Sequence, residues 1–265
     1  MDPFEQFKAA QRAGWAYFAP LQTFTTIPAG RLVEHAGIRA GMRVLDVACG
    51  TGVVAVTAAR AGARVTGLDL TPELLQAARV NAQIAGVEIE WHEGDVEQLP
   101  FEAEAYDVVV SQYGHMFAPR PDVATREMLR VLKPGGTIAF STWPPELFIG
   151  RMFRLVADYL PAPPPGVSPP PQWGDPNVVR ERLGAAVRDI AFDRGRLEAP
   201  ALSPSHYRDL TERTAGPVLK LVESLSAADP AKLATFRAAY DALTAQYFDR
   251  NAVRQDYLMT RATKV

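Results

Sequence analysis

The sequence contains a single cysteine, Cys49, among 265 residues. One thiol excludes an intrachain disulfide, and it excludes a zinc or iron–sulfur site built from several cysteines of one chain. Long runs of charge of one sign are also missing, and 28 basic against 30 acidic residues leave a net charge of −2. A nucleic-acid partner or an anionic membrane surface therefore has no electrostatic support.

Targeting and membrane segments are missing as well. The first residues, Met-Asp-Pro-Phe-Glu, contain no basic stretch followed by an apolar one, so no signal peptide is predicted. The longest uncharged run, residues 13–30, is interrupted by prolines and threonines and does not resemble a membrane span. With no disulfide to require an oxidising compartment, we expect a cytoplasmic protein without an integral membrane segment.

Apolar runs and amphipathic helices alternate between residues 43 and 142. The spacing predicts strands over residues 43–48, 64–70, 87–91, 106–111 and 137–142, with helices over 50–61, 72–85 and 122–132 between them. A turn at residues 133–136 precedes the last of these strands. Such alternation predicts a parallel sheet with helices on both faces, which binds ligands at the carboxyl ends of its strands.

The flanking regions differ from this pattern. Apolar residues at helical spacing predict a helix before Pro20, and a short second helix follows over residues 32–36. Eight prolines in residues 161–176 indicate either a stiff surface linker or the edge of a lid carrying Gln172 and Trp173. Strand-like segments follow at 187–192 and 195–199, a helical region at 204–248, and a last strand at 254–263.

The segment with the most chemical information is residues 44–52, Val-Leu-Asp-Val-Ala-Cys-Gly-Thr-Gly. A glycine-rich turn from a strand into a helix lets the backbone approach a ligand closely. Asp69 ends the second strand, where a carboxylate can accept hydrogen bonds from both ribose hydroxyls and would repel a 2′-phosphate. Asp95 follows the third strand, where it either meets an adenine edge or caps a turn.

Four segments in this order resemble the motifs of class I S-adenosylmethionine-dependent methyltransferases. They are residues 44–52, then Gly-Leu-Asp-Leu-Thr-Pro-Glu-Leu-Leu at 67–75, Gly-Asp-Val-Glu-Gln-Leu-Pro-Phe at 94–101 and Leu-Lys-Pro-Gly-Gly-Thr-Ile at 132–138. The nearest likeness is to the ubiquinone and menaquinone biosynthesis type. The resemblance implies an α/β, Rossmann-like doubly wound sheet, mostly parallel with an antiparallel last strand, plus a helical cover.

The same resemblance implies a division of the chain and a set of donor contacts. Residues 1–38 would form an N-terminal helical lid, and residues 39–265 a Rossmann-like domain with a helical insertion at about 202–250. The donor S-adenosyl-L-methionine would be held at its methionyl part, ribose, adenine and sulfonium. The residues implied are Asp46, Ala48, Cys49, Gly50, Thr51 and Gly52 for the methionyl part, Asp69 for the ribose, Leu70, Asp95 and Val96 for the adenine, and Ser111 near the sulfonium.

The acceptor side is predicted from the residues after the fourth strand. His115 has an ordinary pKa near neutrality and is the candidate to orient or deprotonate the acceptor, with Tyr113 lining the site; the alternative is a packing role for His115. Aromatic residues and prolines around the expected cover favour a small apolar or aromatic acceptor. His206 and Tyr207 are secondary candidates, and Trp15, Phe18 and Phe24 either close over the donor or pack on the sheet. The four histidines have no metal-ligand spacing, so no metal is expected.

Two other functions fit parts of this pattern. An NAD-dependent oxidoreductase could use a similar sheet, but Asp46 would repel a pyrophosphate and the sequence has no Tyr-x-x-x-Lys pair. A non-catalytic protein could keep the donor pocket as a ligand-binding module. Turnover of S-adenosylmethionine with a panel of acceptors separates the catalytic and non-catalytic alternatives.

Overall fold

The computed structural model describes residues 3–265 and is built on one mixed β-sheet. Within these residues the sheet has eight strands. They are β1 (Arg43–Val47), β2 (Arg64–Asp69), β3 (Glu90–Glu93), β4 (Tyr106–Gln112), β5 (Leu132–Thr142), β6 (Val187–Pro200), β7 (Phe248–Asp249) and β8 (Ala252–Lys264).

The strand order places a change of chain direction in the middle of the sheet. The order is β3-β2-β1-β4-β5-β8-β6, and β7 pairs with β8. Strands β1 to β5 pair in parallel, whereas β8 runs antiparallel to both β5 and β6. The chain moves outward from β1 to β3 and returns at β4 beside β1, and ligands of such sheets bind near this point. The predicted fold class, including the antiparallel last strand, is confirmed.

Helices cover both faces and the carboxyl edge of the sheet. Three of the later ones begin in the same way: Asp175, Ser203 and Asp229 each accept a backbone hydrogen bond from the first helical turn, and a proline follows each. The described helices are α1 (Pro3–Trp15), α2 (Gln22–His35), α3 (Val53–Arg60), α4 (Pro72–Ala85), α5 (Pro121–Val131), α6 (Phe148–Ala157), α7 (Pro176–Leu183), α8 (Pro204–Thr214), α9 (Gly216–Ala228) and α10 (Pro230–Ala245).

The central strands are buried on both faces because apolar clusters lie on each side of the sheet. In β4, Val108 and Val110 belong to one cluster with residues of α2 and α3, and Val109 belongs to the other with residues of α5 and α6. This alternation explains the continuous valine run, which is typical of a parallel strand covered on both faces. The rigid centre of the sheet fixes the strand ends from which the site is built.

Several local expectations from the sequence were wrong. The short helix predicted at residues 32–36 is the end of the longer helix α2. Pro20 does not end the N-terminal helical region: it lies in a short 3₁₀ helix, Ala16–Leu21, that leads straight into α2. Strand β3 begins at Glu90 rather than residue 87, and β5 begins at Leu132, which pairs with Tyr106 ahead of a register shift.

Helices α8, α9 and α10 lie between β6 and β8 in the chain, where the sequence predicts the helical insertion. Helix α1 packs on α9, and the 3₁₀ helix Ala16–Leu21 packs on α8. The N-terminal helices and the insertion therefore meet above the carboxyl edge of the sheet. The division into a lid of residues 1–38, of which residues 1 and 2 lie outside the described part, and a domain of residues 39–265 stays a prediction.

Candidate active site

The loop between β1 and α3 turns sharply and exposes its backbone. Ala48, Gly50 and Gly52 have φ values of +51°, +54° and +77°. At Gly52 an added Cβ would lie 2.6 Å from the ring of Trp91, so the left-handed backbone and the neighbouring ring both exclude a side chain. The turn brings Ala48, Gly50 and Thr51 to the wall of a cavity.

Three carboxylates from adjacent strand ends line this cavity, whose volume is about 230 Å³. Asp46 lies in β1, Asp69 ends β2, and Asp95 follows β3. Adjacent parallel strands end at the same edge of a sheet, which is why residues far apart in the chain meet here. Other residues predicted for the donor site also line the cavity, namely Ala48, Cys49, Gly50, Thr51, Leu70 and Val96.

Asp46 and Asp69 are buried, and their hydrogen bonds differ. Both oxygens of Asp69 are used, since Oδ2 accepts from the Gly50 N–H and Oδ1 from the Thr71 N–H, each at 2.8 Å. Asp46 Oδ2 accepts from the Ala55 N–H at 3.0 Å, whereas its buried Oδ1 has no partner among the described residues.

Burial raises the pKa of both carboxyls, that of Asp46 to about 8. The hydrogen bond from the Ala55 N–H lowers the pKa of Asp46 by less than burial raises it, and the nearby charge of Asp69 raises it further. A cationic group bound beside Asp46 would offset the cost of its charge and would supply the donor that Oδ1 lacks.

Lys8 of α1 also lines the cavity and was not predicted as a site residue from the sequence. Its Nζ lies 2.6 Å from Asp95 Oδ2 and 2.5 Å from Glu5 Oε1. A lysine on an amphipathic helix is normally interpreted as solvent-exposed, so no local signal identified this residue.

The turn after β4 forms the middle of the cavity wall. Tyr113 has a φ of +61°, which is rare for a residue other than glycine, and its ring stacks on Trp143 at a centroid distance of 4.0 Å. A Cβ on Gly114 would collide with the Ala48 carbonyl, so the turns after β1 and β4 touch. Gln112 Nε2 donates to the Thr25 carbonyl at 2.8 Å and ties this turn to α2. A strained turn held in this way is typical of a functional site.

The remaining wall is apolar and aromatic. It is supplied by the turn after β4, by the residue after β5, by the N-terminal helical region, by α6 and by the elements around the insertion. Among the described residues, the charged side chains that line the cavity are Lys8 and the three aspartates, all at its other end. Trp15 contacts Phe117 edge-on at 4.5 Å. The apolar lining residues from these regions are Trp15, Phe18, Leu21, Phe24, Phe117, Trp143, Ile149, Met152, Phe153, Leu197, Ala215 and Pro217.

A hydrogen-bonded pair of polar side chains, one from the insertion and one from β8, lies in this apolar wall. Gln255 Nε2 donates to the Tyr207 hydroxyl at 2.9 Å, and both residues are buried. Gln255 lies three positions before Leu258, which pairs with Thr142 at the end of β5, so it reaches beyond the end of that strand. His206, the neighbouring candidate, is instead bound at Nδ1 by the Leu202 N–H.

Three residues predicted for the site lie outside the cavity wall: Gly52, Ser111 and His115. The Ser111 hydroxyl donates to the Val47 carbonyl and accepts from the His115 N–H, which joins β4 to β1. The His115 ring is fully buried between Phe140 and Trp173, and neither ring nitrogen has a hydrogen-bond partner among the described residues. Burial lowers the pKa of His115 to about 3. This position does not suit a group that contacts an acceptor.

Trp173 explains why His115 is enclosed. The proline-rich segment was interpreted as a surface linker or a lid edge, but its 3₁₀ helix Pro170–Gly174 packs Trp173 against His115. Among residues 3–265, no group of three or more His, Cys, Asp or Glu side chains could hold a metal ion, and no helix is long and apolar enough to cross a membrane.

Comparisons with known proteins agree with this geometry. Residues 45–140 match the family model described as a methyltransferase domain. The uncharacterised protein Rv1403c of Mycobacterium tuberculosis (strain ATCC 25618 / H37Rv) is 39% identical over 234 residues, which cover 88% of this chain and 85% of that protein. The ubiquinone biosynthesis O-methyltransferase of Salmonella arizonae is 37% identical over 141 residues, 52% of this chain and 58% of that enzyme.

A solved structure has a similar fold over most of this chain. The protein comes from Bacillus halodurans C-125 and is described as a candidate methyltransferase. It matches with a TM-score of 0.60 at 20% identity, over 89% of this chain and 98% of that one. At this identity the likeness concerns the fold alone.

Proposed function

Since this chain belongs to the class I S-adenosylmethionine-dependent methyltransferases, we propose that its cavity holds the methyl donor at the carboxylate end and a small, uncharged, apolar or aromatic acceptor at the aromatic end. The observation that carries the proposal is the segregation of charge within one cavity. Within residues 3–265, the charged lining residues lie at one end, and the other end is apolar apart from a few neutral polar groups.

The residues of the charged end fit the donor. Asp46 has an unpartnered buried oxygen that suits the donor's ammonium group. Asp69 keeps lone pairs for ribose hydroxyls beyond its two backbone hydrogen bonds, with Leu70 beside it and Val96 and Asp95 at the adenine edge. Cys49 fits a packing role, because burial raises the pKa of its thiol and keeps it protonated.

The apolar end fits a neutral acceptor. An anionic acceptor would lose its hydration without meeting a free cation, because Lys8 is already engaged by carboxylates. The Tyr207 hydroxyl accepts a hydrogen bond from Gln255 and has its own proton to donate, which suits a carbonyl, ether or hydroxyl oxygen on the acceptor. The ubiquinone biosynthesis relative, an O-methyltransferase, supports a phenol-like class.

S-adenosylmethionine supplies a methyl carbon already activated by its sulfonium. The chain's task is to align the acceptor atom behind that carbon and to exclude water. The stacked rings of Tyr113 and Trp143 line the cavity where its two ends meet. Burial raises the pKa of Tyr113, so its hydroxyl stays protonated. We propose that no histidine acts as a base here: the oxygen of a neutral phenol bonds to the methyl carbon as the carbon–sulfur bond breaks, and the phenol's proton is released to bulk solvent.

The experiment begins with calorimetric binding of S-adenosylhomocysteine, the donor product. We expect binding by the wild type and about 100-fold weaker binding by Asp69→Ala, which loses the ribose contact and two backbone hydrogen bonds. Asp107→Ala is the matched control, because Asp107 pairs with Lys133 at the opposite edge of the sheet. Equal binding by Asp69→Ala and wild type would refute the donor assignment.

A second step tests the acceptor. Purified protein is incubated with S-adenosylmethionine and a panel of neutral phenols, matched carboxylated phenols and amines, and S-adenosylhomocysteine formation is measured. We expect turnover of neutral aromatic compounds above their carboxylated counterparts. Donor binding without turnover across the panel would favour the non-catalytic module.

The oxidoreductase alternative does not fit this chain, because its family is that of methyltransferases.

A further inference from the structure

Lys8 is the most deeply buried cation at the donor end of the cavity, with 6% of its surface exposed. It lies on α1, outside the residues matched by the methyltransferase family model. Three carboxylates surround its Nζ: Glu5 at 2.5 Å, Asp95 at 2.6 Å and Glu97 at 3.4 Å. An ammonium group has three N–H donors, so Lys8 is fully engaged by these acceptors.

Lys8 and a backbone N–H together fix the carboxylate of Asp95. Oδ1 accepts from the Glu97 N–H at 2.9 Å, and Oδ2 accepts from Lys8 Nζ. Each oxygen has a second lone pair, so the carboxylate can still accept a hydrogen bond from a ligand. Asp95 is thereby held in one orientation.

The charge of Lys8 also offsets a concentration of negative charge. Glu97 is buried, and Arg120 binds it through Nε and Nη2, but no other lysine or arginine forms an ion pair with Asp95 among the described residues. Burial alone would lower the pKa of Lys8, but its hydrogen bonds to Asp95 and Glu5 and the surrounding negative charge raise it overall. Lys8 therefore stays charged through the physiological range.

The position of Lys8 is set by more than its ion pairs. The carboxyl-terminal part of α1 packs on α9, where a Cβ on Gly216 would collide with the Gly14 carbonyl. Lys220 of α9 donates to the Ala10 carbonyl at 2.5 Å. Helix α1 thus spans from the donor end to the helical insertion, and it carries Lys8 at a fixed place over Asp95.

We propose that Lys8 is a positioning residue of the donor site, which holds Asp95 so that its carboxylate selects the amino group of adenine. The inference rests on the proposed function. The adenine amino group donates a hydrogen bond to a fixed carboxylate, whereas hypoxanthine presents a carbonyl oxygen at the same position, which the carboxylate repels. The ratio of affinities for these two bases therefore reports on the orientation of Asp95, whereas the affinity for one base alone reports only whether the site binds.

The test compares calorimetric affinities for S-adenosylhomocysteine and its deaminated form, S-inosylhomocysteine. We expect the wild type to prefer the adenine form at least tenfold and Lys8→Met to reduce that ratio to within threefold. Lys8→Arg should keep most of the preference. Arg12→Met is the matched control, because Arg12 lies on the same helix in an exposed ion pair with Glu93 outside the cavity.

Two outcomes overturn the inference while the proposed function stands. One is an unchanged ratio in Lys8→Met, and the other is an equal loss of affinity for both ligands, which indicates only a structural role. If Lys8→Met does not fold, Lys8→Gln is measured against the same ratio. Failure of the wild type to bind S-adenosylhomocysteine refutes the proposed function and this inference together. A lost preference in Asp95→Asn with an intact one in Lys8→Met would assign the discrimination to Asp95 alone.

Discussion

The two ends of the cavity are built in different ways. The carboxylate end comes mainly from strand ends and tight turns between Asp46 and Val96, within the family-matched part of the chain. The aromatic end includes Phe117 from the matched part, but most of it comes from regions outside the match: Trp143, α6, the N-terminal helical region and the insertion with its flanking strands. At the first end, backbone N–H groups and buried carboxylates fix the geometry. At the second, ring packing sets the shape.

This difference separates the part of the cavity that lies within the family match from the part that lies mostly outside it. A site made of backbone and strand ends tolerates few substitutions. Its glycines adopt backbone conformations that side chains disfavour, and its aspartates accept hydrogen bonds from neighbouring backbone N–H groups. A wall of aromatic side chains can be reshaped one side chain at a time at modest cost. We therefore expect donor binding to depend on a few carboxylates and acceptor choice to depend on several apolar contacts.

The largest expected effect concerns Asp46 and pH. Because burial places its pKa at about 8, Asp46 is protonated in the donor-free protein below that pH and must lose a proton to bind an ammonium group. The affinity of the wild type for S-adenosylhomocysteine should fall about tenfold per pH unit from pH 8 to pH 6. Asp46→Asn should bind weakly with no such slope in calorimetric titrations, and an unchanged slope would contradict this role.

The stability of the donor-free protein should depend on pH in the opposite direction from donor affinity, because the charge of Asp46 destabilises the empty site. A carboxyl whose folded pKa is raised contributes stability at low pH that is lost as pH rises from about 4 to about 8. Asp46→Asn should therefore gain about 2 kcal/mol or more in free energy of unfolding relative to the wild type at pH 8, measured by urea denaturation. Asp107→Asn serves as the control, because a partly exposed ion pair with Lys133 lowers the pKa of this carboxyl, so its removal should not stabilise the protein at pH 8.

The next effect tests the aromatic end alone. Met152→Trp places a larger side chain on α6 in the acceptor wall. With an acceptor found in the panel, KM should rise at least tenfold, whereas the Kd for S-adenosylhomocysteine should stay within threefold of the wild type. Equal losses at both ends would show that the cavity does not divide as proposed. Met152→Leu, which conserves volume, is the control.

The fold and the carboxylate end were largely predictable from the sequence. Strand and helix periodicity predicted the five parallel strands, and the motifs at or just after the strand ends located Asp46, Asp69 and Asp95, because such signals lie within one segment. The predicted bounds of strands were wrong where pairing with a distant segment decides them. Strand β5 extends back to Leu132 because of its pairing with Tyr106, which no local pattern indicates.

The rest of the cavity wall could not be predicted because it depends on how distant segments pack. Lys8 belongs to the cavity only because α1 lies over Asp95, and Gln255 belongs to it only because β8 extends beyond the end of β5. His115 was favoured because its place in the chain, after β4, suits a catalytic group. Its enclosure by Trp173, from the proline-rich segment, could not be inferred from that place.

A smaller effect is expected at the polar pair of the aromatic end. Tyr207→Phe removes the hydroxyl that accepts from Gln255 and leaves a buried amide donor unpaired, so the free energy of unfolding should fall by about 1–2 kcal/mol. KM should rise several-fold for acceptors with a second oxygen substituent and stay unchanged for those without one. A uniform rise for both would mean that Tyr207 only packs. Tyr247→Phe, outside the cavity wall, is the matched control.

The smallest effect on turnover is expected at His115. Its ring contributes shape between Phe140 and Trp173, and its two nitrogens are buried without partners. His115→Phe keeps the shape and removes those unsatisfied atoms, so we expect turnover within about twofold of the wild type and an unfolding free energy equal or higher at pH 7. A loss near 100-fold with intact folding would instead restore His115 as a general base.

Acid titration sharpens this last comparison. A histidine whose folded pKa is lowered to about 3 stays neutral in the folded protein but gains a proton on unfolding below its ordinary pKa near 6.5. The wild type should therefore lose roughly 2 kcal/mol more than His115→Phe between pH 6.5 and pH 5, measured by urea denaturation at each pH. Parallel curves for the two proteins would mean that water reaches the ring, and the separation of His115 from the cavity would then fail.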